Sequence, residues 1–372
     1  MDFSYSSDQQ MLRESVQRYL QQEYDYQQRG AMLKAGGFSA KAWRDFADFG
    51  WLGAALPEEA GGFGGGALEA GILMEAFGRR LVLEPYLWTV VVGGALLQHG
   101  LQGATRDALL AQMVAGELQL ALAALEDDVG QDFARVDTIA VANGESWVLK
   151  GRKRVVPNGA IAHRFFVSAR NAEGVSLFLV ARDAPGLRIR SYRSNDGQTA
   201  AELTLEDVRV PRSDIVGRLG EAVPLLTLAA DHGSAALCAE VVGSTAYLVD
   251  STCEYLKTRE QYGAPLAKFQ VLQHRLADMY VAVELARSMA LVAAAALTDA
   301  GKSARERMHD ISAARVQAIR CARLVGRDAV QMHGGMGMSE ELDISAHFKR
   351  LMLATLLLGD EDFHLERMAA LV

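Results

Sequence analysis

The chain has 372 residues, half of them hydrophobic and 23% charged, enough for two or three domains with sizeable cores. Its formal charge of −8 and the absence of a long Lys/Arg run leave no electrostatic footprint for a nucleic-acid backbone or an anionic membrane. Three cysteines, Cys238, Cys253 and Cys321, lie in apolar stretches without the paired spacing of a metal site and read as buried free thiols.

The first twenty residues carry acids and glutamines in place of a basic start and apolar run, so no signal peptide is expected. The longest apolar run, Met289 to Leu297, is too short to span a bilayer, and a cytoplasmic protein with no membrane span is the expectation.

From Asp8 to about Glu117 the pattern is helical, with Leu12, Val16 and Leu20, then Leu73, Phe77 and Leu81, at three- or four-residue spacing. A cluster running from Pro57 to Gly66 ends one helix and turns the chain toward the next. It follows no β-branched strand and lacks a Lys-Ser/Thr ending, so it reads as a connector and not as a phosphate cradle. Between about Leu118 and Val210 the period becomes two, in Trp147 to Leu149, Phe165 to Val167, Val175 to Val180 and Ala201 to Leu205. Turns at Asn143-Gly144, Asn158-Gly159 and Asn195-Asp196-Gly197 separate these runs, which predicts a small antiparallel β domain. Helical periodicity returns after about Pro224 in long Ala/Leu-rich segments, including Ala235 to Tyr255, Gln270 to Leu297 and Ser303 to Met332, as in an antiparallel bundle. The reading is an α+β chain with an N-terminal helical domain (1–117), a middle antiparallel β domain (118–215) and a C-terminal four-helix bundle (216–372).

Two dense motifs carry the chemistry. The first runs from Tyr255 through Arg259, Tyr262, Gly263, Pro265 and Phe269 to Gln270 and His274; the second is Gln331, His333, Gly334, Gly335 and Gly337. Arg259 offers a planar, permanently charged fork suited to a pyrophosphate, and Tyr262 a flat ring for a heteroaromatic system. Gln270 can donate and accept hydrogen bonds. The glycines let backbone amides approach a ligand, with Gln331 on the preceding helix end. His274 and His333 have no second ligand at helix spacing and read as packing histidines. Ser234, Ser339 and Cys253 show no nucleophile motif, and Glu340 and Asp343 read as caps of the following helix.

Together these motifs resemble the flavin-clamping half of an acyl-CoA dehydrogenase, and the resemblance extends over essentially the whole chain, including Trp43 to Leu52 and Pro57 to Gly62 in the opening domain. It implies FAD as cofactor, an acyl-CoA substrate and an electron-transfer acceptor. By resemblance Arg259, Tyr262, Gln270, Gln331 and Gly335 contact the ADP half of an FAD held mainly by a neighbouring subunit. At the flavin ring's end the chain departs from the family. The stretches aligned with Thr-Glu-Pro…Gly-Ser-Asp and Trp-Ile-Thr/Ser read Leu125 to Asp132 and Val155 to Gly159, without the hydroxyls, and Pro157 has no backbone donor. The family's base, a glutamate that removes the substrate α-proton, aligns with Leu358. The alternative position for that glutamate aligns with Gly233, which leaves Asp360 and Asp231 as the nearest carboxylates. This pattern resembles the non-base-bearing subunit of heteromeric acyl-CoA dehydrogenases, such as those acting on pimeloyl-CoA or steroid side chains. It implies α,β-dehydrogenation to a 2,3-enoyl-CoA by a hetero-oligomer in which a homologous partner supplies the base. Two alternatives stay open at this level: a self-sufficient homo-oligomer using Asp360 or Asp231, and a non-catalytic acyl-CoA or protein-binding scaffold.

Overall fold

A computed structural model describes residues 5–127 and 131–371. In chain order the helices are α1 (Ser7–Glu23), α2 (Tyr26–Lys34), α3 (Ala40–Asp48), α4 (Ala67–Arg80), α5 (Gly94–Gly100) and α6 (Gly103–Val114). The strands β1 (Leu120–Ala123), β2 (Ile139–Asn143), β3 (Ser146–Pro157), β4 (Arg164–Asn171), β5 (Gly174–Ala181), β6 (Leu187–Arg193), β7 (Thr199–Pro211) and β8 (Ile215–Val216) follow. The chain closes with α7 (Ala222–Thr258), the two-residue strands β9 (Glu260–Gln261) and β10 (Ala264–Pro265), α8 (Gln270–Thr298), α9 (Ala304–His333), α10 (Ile344–Ala354) and α11 (Glu361–Ala369). Helix, sheet, helix is the predicted order, and the chain is α+β.

Contacts group these elements into two compact units, one of Met1–Lys34, Ala67–Val82 and Ser234–Val372, the other of Ala35–Gly66 and Leu83–Gly233. In the helical unit, capping boxes start two helices: Ser6 with Gln9 opens α1, and Ser303 with Glu306 opens α9. Where α4 crosses α7 the backbones nearly touch, since a Cβ on Gly78 would lie 2.0 Å from the Glu240 carbonyl oxygen and one on Gly243 1.8 Å from that of Glu75. Only glycine permits that approach. The same unit buries a bidentate ion pair, Glu240 with Arg350, at 2.5 Å to Nε and 2.9 Å to Nη2. The helices α7 and α8 are each long and apolar enough to cross a membrane by length and composition, a criterion that core helices also meet, although neither holds an uninterrupted apolar run of that length. Hydropathy averaged along a helix tolerates scattered polar residues that break such a run. The most apolar stretch of α7 is 78% buried within the protein, whereas that of α8 is only 33% buried, and α8 as a whole exposes Val271, Tyr280, Val281 and Leu285.

The second unit is built around an eight-stranded sheet of order β6-β7-β3-β2-β4-β5-β8, with β1 pairing β4. Its core includes Trp147, Leu149, Phe165, Val167, Phe178, Val180, Leu203 and Leu205, residues of the four predicted runs. The antiparallel expectation needs one correction. β1 pairs β4 in parallel, and β2 meets β4 in parallel at Ile139 and Arg170. The physical reason is connectivity: β1 enters from α6 and reaches β4 only after β2 and β3 have intervened, and such a crossover permits parallel pairing where a tight hairpin cannot. The glycine cluster forms a short 3₁₀ turn, Glu58–Ala60, and bends at Gly62, where a Cβ would stand 2.2 Å from the Leu56 carbonyl oxygen. It is a connector, as its sequence predicts.

Candidate cofactor clamp and base position

The helix α7 ends at Thr258, and the chain at once forms a two-residue hairpin between β9 and β10. At its tip Tyr262 and Gly263 have φ of 55° and 76°, the pair of positive values that a type I′ turn requires. The turn presents Tyr262 almost wholly to solvent, at 92% exposure, steadied by an edge contact with Phe269 at 6.1 Å. The Leu266 amide donates to the Arg259 carbonyl at 2.8 Å, fixing the backbone below the arginine. Gln270 is then the first residue of α8. Arg259 and Gln270 are exposed, and neither side chain has a hydrogen bond or ion pair among the described residues.

The second motif sits at the end of α9. Gln331 is exposed near the helix terminus, and Gly334 caps it with a φ of 61°. Gly337 is demanded by internal packing, because a Cβ there would meet the Val330 carbonyl oxygen at 2.7 Å. Gly335 is different. Its φ is ordinary and a Cβ would meet nothing within 4 Å, so the chain's own packing sets no requirement for glycine at that position. His333 lies inward, stacked on Tyr255 at 4.3 Å with Nδ1 donating to the Ala329 carbonyl, and burial lowers its pKa; it is the packing histidine that was expected. Asp343 does not cap α10 with its side chain; it accepts from the Tyr247 hydroxyl.

Sequence reasoning missed part of this surface. Gln331 shares a groove of about 490 Å³ with Arg275 and Asp278 of α8 and Leu324, Arg327 and Asp328 of α9. Arg327 is paired with Asp328 at 3.2 Å, while the exposed Arg275 guanidinium has no ion partner among the described residues. The signal was the five-residue step from Gln270 to Arg275, which helical geometry carries more than a turn along α8.

At the base position, Leu358 is buried and has a φ of 57°, followed by Gly359 at 107°. Arg315 of α9, itself fully buried, holds this segment: one terminal nitrogen, Nη2, donates to the carbonyls of Ala354 and Leu357 at 2.9 Å and of Gly359 at 3.4 Å. Asp360 is exposed, and its carboxylate caps α11 by accepting from the Phe363 amide at 2.9 Å. Asp231 is buried within α7.

In the sheet-containing unit, the residues that the resemblance assigns to a flavin ring are occupied otherwise. Glu126 accepts from Lys153 and from the Asp137 and Thr138 amides. Burial lowers the Lys153 pKa to about 8 despite its carboxylate partner, and against the same burial Lys153 holds Glu126 below its usual value. Asp127 pairs with Arg154 at 2.7 Å, and Asp128, Val129 and Gly130 lie outside the described residues. Asn158 spends its side-chain amide on the Leu120 carbonyl and the Thr89 hydroxyl, at 3.0 and 3.2 Å. Pro157 has no N–H to give. Among the described residues, the ADP-half side chains Arg259, Gln270 and Gln331 keep donors that a dinucleotide could use, whereas Glu126, Asp127 and Asn158 of the ring-half stretches are engaged within the chain.

Comparison with known proteins places this arrangement. The models described as acyl-CoA dehydrogenase N-terminal, middle and C-terminal domain match residues 6–117, 121–208 and 224–372. Human mitochondrial short-chain specific acyl-CoA dehydrogenase is 30% identical over 84% of this chain and 77% of its own. Two solved structures superpose closely: a variant of the Tcur3481-Tcur3483 steroid ACAD, with 31% identity, a TM-score of 0.89 and coverage of 98% of this chain and 97% of that one, and the ChsE4-ChsE5 complex from Mycobacterium tuberculosis, with 26% identity, a TM-score of 0.88 and coverage of 100% and 98%. The chain belongs to the acyl-CoA dehydrogenase family. That family comprises oxidoreductases acting on CH–CH groups, and its cofactor is FAD.

Proposed function

We propose that this chain is the subunit without a base in a hetero-oligomeric, FAD-dependent acyl-CoA dehydrogenase. It pairs with a homologous subunit that carries the catalytic glutamate and presents Arg259, Tyr262, Gln270, Gln331 and Gly335 to the ADP half of the FAD which that partner holds. The assembly converts an acyl-CoA to its 2,3-enoyl-CoA and passes electrons to a separate acceptor in the cytoplasm. Three domains with bounds near 117 and 215 serve this role. Bound FAD supplies the two-electron acceptor; the work assigned to this chain is binding and orientation. Arg259 neutralises the pyrophosphate, Arg275 adds a second positive charge beside Gln331, and Tyr262 offers its face to the adenine. The substrate class proposed is a bulky acyl group, which agrees with the name of the steroid ACAD relative, or a dicarboxylic one.

The observation that carries this reading is the contrast between a clamp in which the Arg259, Gln270 and Gln331 side chains have no hydrogen bond or ion pair among the described residues and a buried leucine at the base position. A self-sufficient enzyme using Asp360 would have to give up the α11 cap, and Asp231 is buried in α7. The test is to purify the chain alone and after co-expression with a homologous, glutamate-bearing subunit, then count flavin per chain and assay acyl-CoA oxidation. The expectation is essentially no flavin alone and flavin with turnover in the co-purified assembly. One flavin per chain with turnover in the isolated protein would overturn the proposal.

A further inference from the structure

The helical unit contains a second cavity, of about 520 Å³, bounded by α1, α4, α7 and α8, and it shares no residue with the clamp. Four arginines face it: Arg13 of α1, Arg79 and Arg80 of α4, and Arg287 of α8. Three carboxylates also line it, Glu75, Asp250 and Glu284. All three are engaged. Arg79 pairs with Asp250 at 2.7 Å, and Arg287 pairs with Glu75 and, at 3.4 Å, with Glu284. Two guanidinium groups are left over. Arg13 lies over the Tyr5 ring at 5.7 Å, and neither it nor Arg80 has a carboxylate partner among the described residues.

The rest of the cavity is shaped to admit a ligand. Ala246 of α7 and Ala76 of α4 are small side chains along its wall, while Gly243 lets α4 and α7 pack closely beside it. Gln17 and Gln21 contribute neutral amides, and the exposed Tyr280 contributes an aromatic face. Burial, with the arginines Arg29, Arg79 and Arg80 adding to it, lowers the pKa of His347 in the same unit. A cavity of this volume accommodates a small organic ligand. Two guanidinium groups with no carboxylate partner among the described residues favour an anionic ligand, and the several oxygens of a phosphate suit forked donors.

We infer that this cavity binds a small phosphorylated ligand of mononucleotide size, with Arg13 and Arg80 taking the phosphate oxygens and Tyr280 beside the organic half. Isothermal titration of the assembled protein with pyrophosphate and with ADP tests it, in the wild type, Arg13→Gln/Arg80→Gln, Ala246→Leu and Arg259→Ala. The arginine pair weakens binding at least tenfold, Ala246→Leu weakens it by filling the space without changing charge, and Arg259→Ala leaves this binding event in place. Tighter binding of ADP than of pyrophosphate assigns the nucleoside half to the cavity; equal affinities confine recognition to the phosphates, and the mononucleotide assignment then falls. The inference is overturned if neither probe binds, or if all binding disappears with Arg259→Ala and none with the cavity variants.

Discussion

Glu240→Ala removes the carboxylate that pairs bidentately with the buried Arg350 guanidinium in the helical unit. Both Glu240 and Arg350 are at least 90% buried, at 7% and 5% exposure, and both carboxylate oxygens are used, at 2.5 and 2.9 Å. Breaking a buried pair by removing one partner costs about 3–5 kcal/mol, because the remaining charge keeps its desolvation penalty. With a urea m-value of about 3 kcal/mol/M for a chain this size, the midpoint falls by about 1–1.7 M. The comparison is Glu254→Ala, whose pairing with Lys257 is exposed on both sides, at 70% and 56%; such pairs contribute about 0–1 kcal/mol and its midpoint moves far less. Urea titration followed by far-UV circular dichroism reads both. Glu240→Leu combined with Arg350→Met recovers most of the loss, since it removes both charges and keeps the volume. Equal midpoints for Glu240→Ala and Glu254→Ala, or no recovery in the double variant, would refute the reasoning.

Gly243→Ala places a methyl group 1.8 Å from the Glu75 carbonyl oxygen, so α4 and α7 must part, at a cost of about 1–3 kcal/mol or more in the same titration. Burial, aided by Arg29, Arg79 and Arg80, lowers His347 to about 3, and burial aided by Arg315 and Arg367 does the same for His364. The unfolded chain binds protons at about 6.5 where the folded chain does not, so stability present above that pH is lost on acidification toward pH 3; His347→Gln makes the pH dependence shallower. Arg259→Ala leaves the urea midpoint within about 0.2 M because its exposed side chain has no hydrogen bond or ion pair among the described residues, yet it raises the FAD dissociation constant of the assembly about tenfold or more, through loss of charge-assisted hydrogen bonds of about 1.5–3 kcal/mol each. Arg275→Ala acts in the same direction and more weakly, read by flavin fluorescence on dilution.

What the sequence discloses follows from how local each signal is. The run from Gln270 to Leu297 emerges as α8 almost to the residue, because one helix carries its own periodicity and boundaries. Gly263 and Pro265 mark a turn for the same reason, although the hairpin tip at Tyr262 and Gly263 is plain only once both φ values are known. The parallel seat of β1 beside β4 depends on a connection that no short window contains. The ion pair between Glu126 and Lys153 joins residues 27 apart, and the contacts of Arg315 reach 39 to 44 positions along the chain. Arg275 escaped notice because its importance comes from α9 lying alongside it.

The hold of Arg315 on the carbonyls of residues 354, 357 and 359 separates shape from reactivity. A main-chain anchor cannot sense which side chain follows it. The turn that would deliver a base is therefore maintained by a residue on another helix, and the identity of residue 358 can change without dismantling it. A duplicated subunit could lose its acid in one substitution and keep its fold, its clamp and its place in an assembly, leaving two similar chains to divide between them what one ancestor did alone.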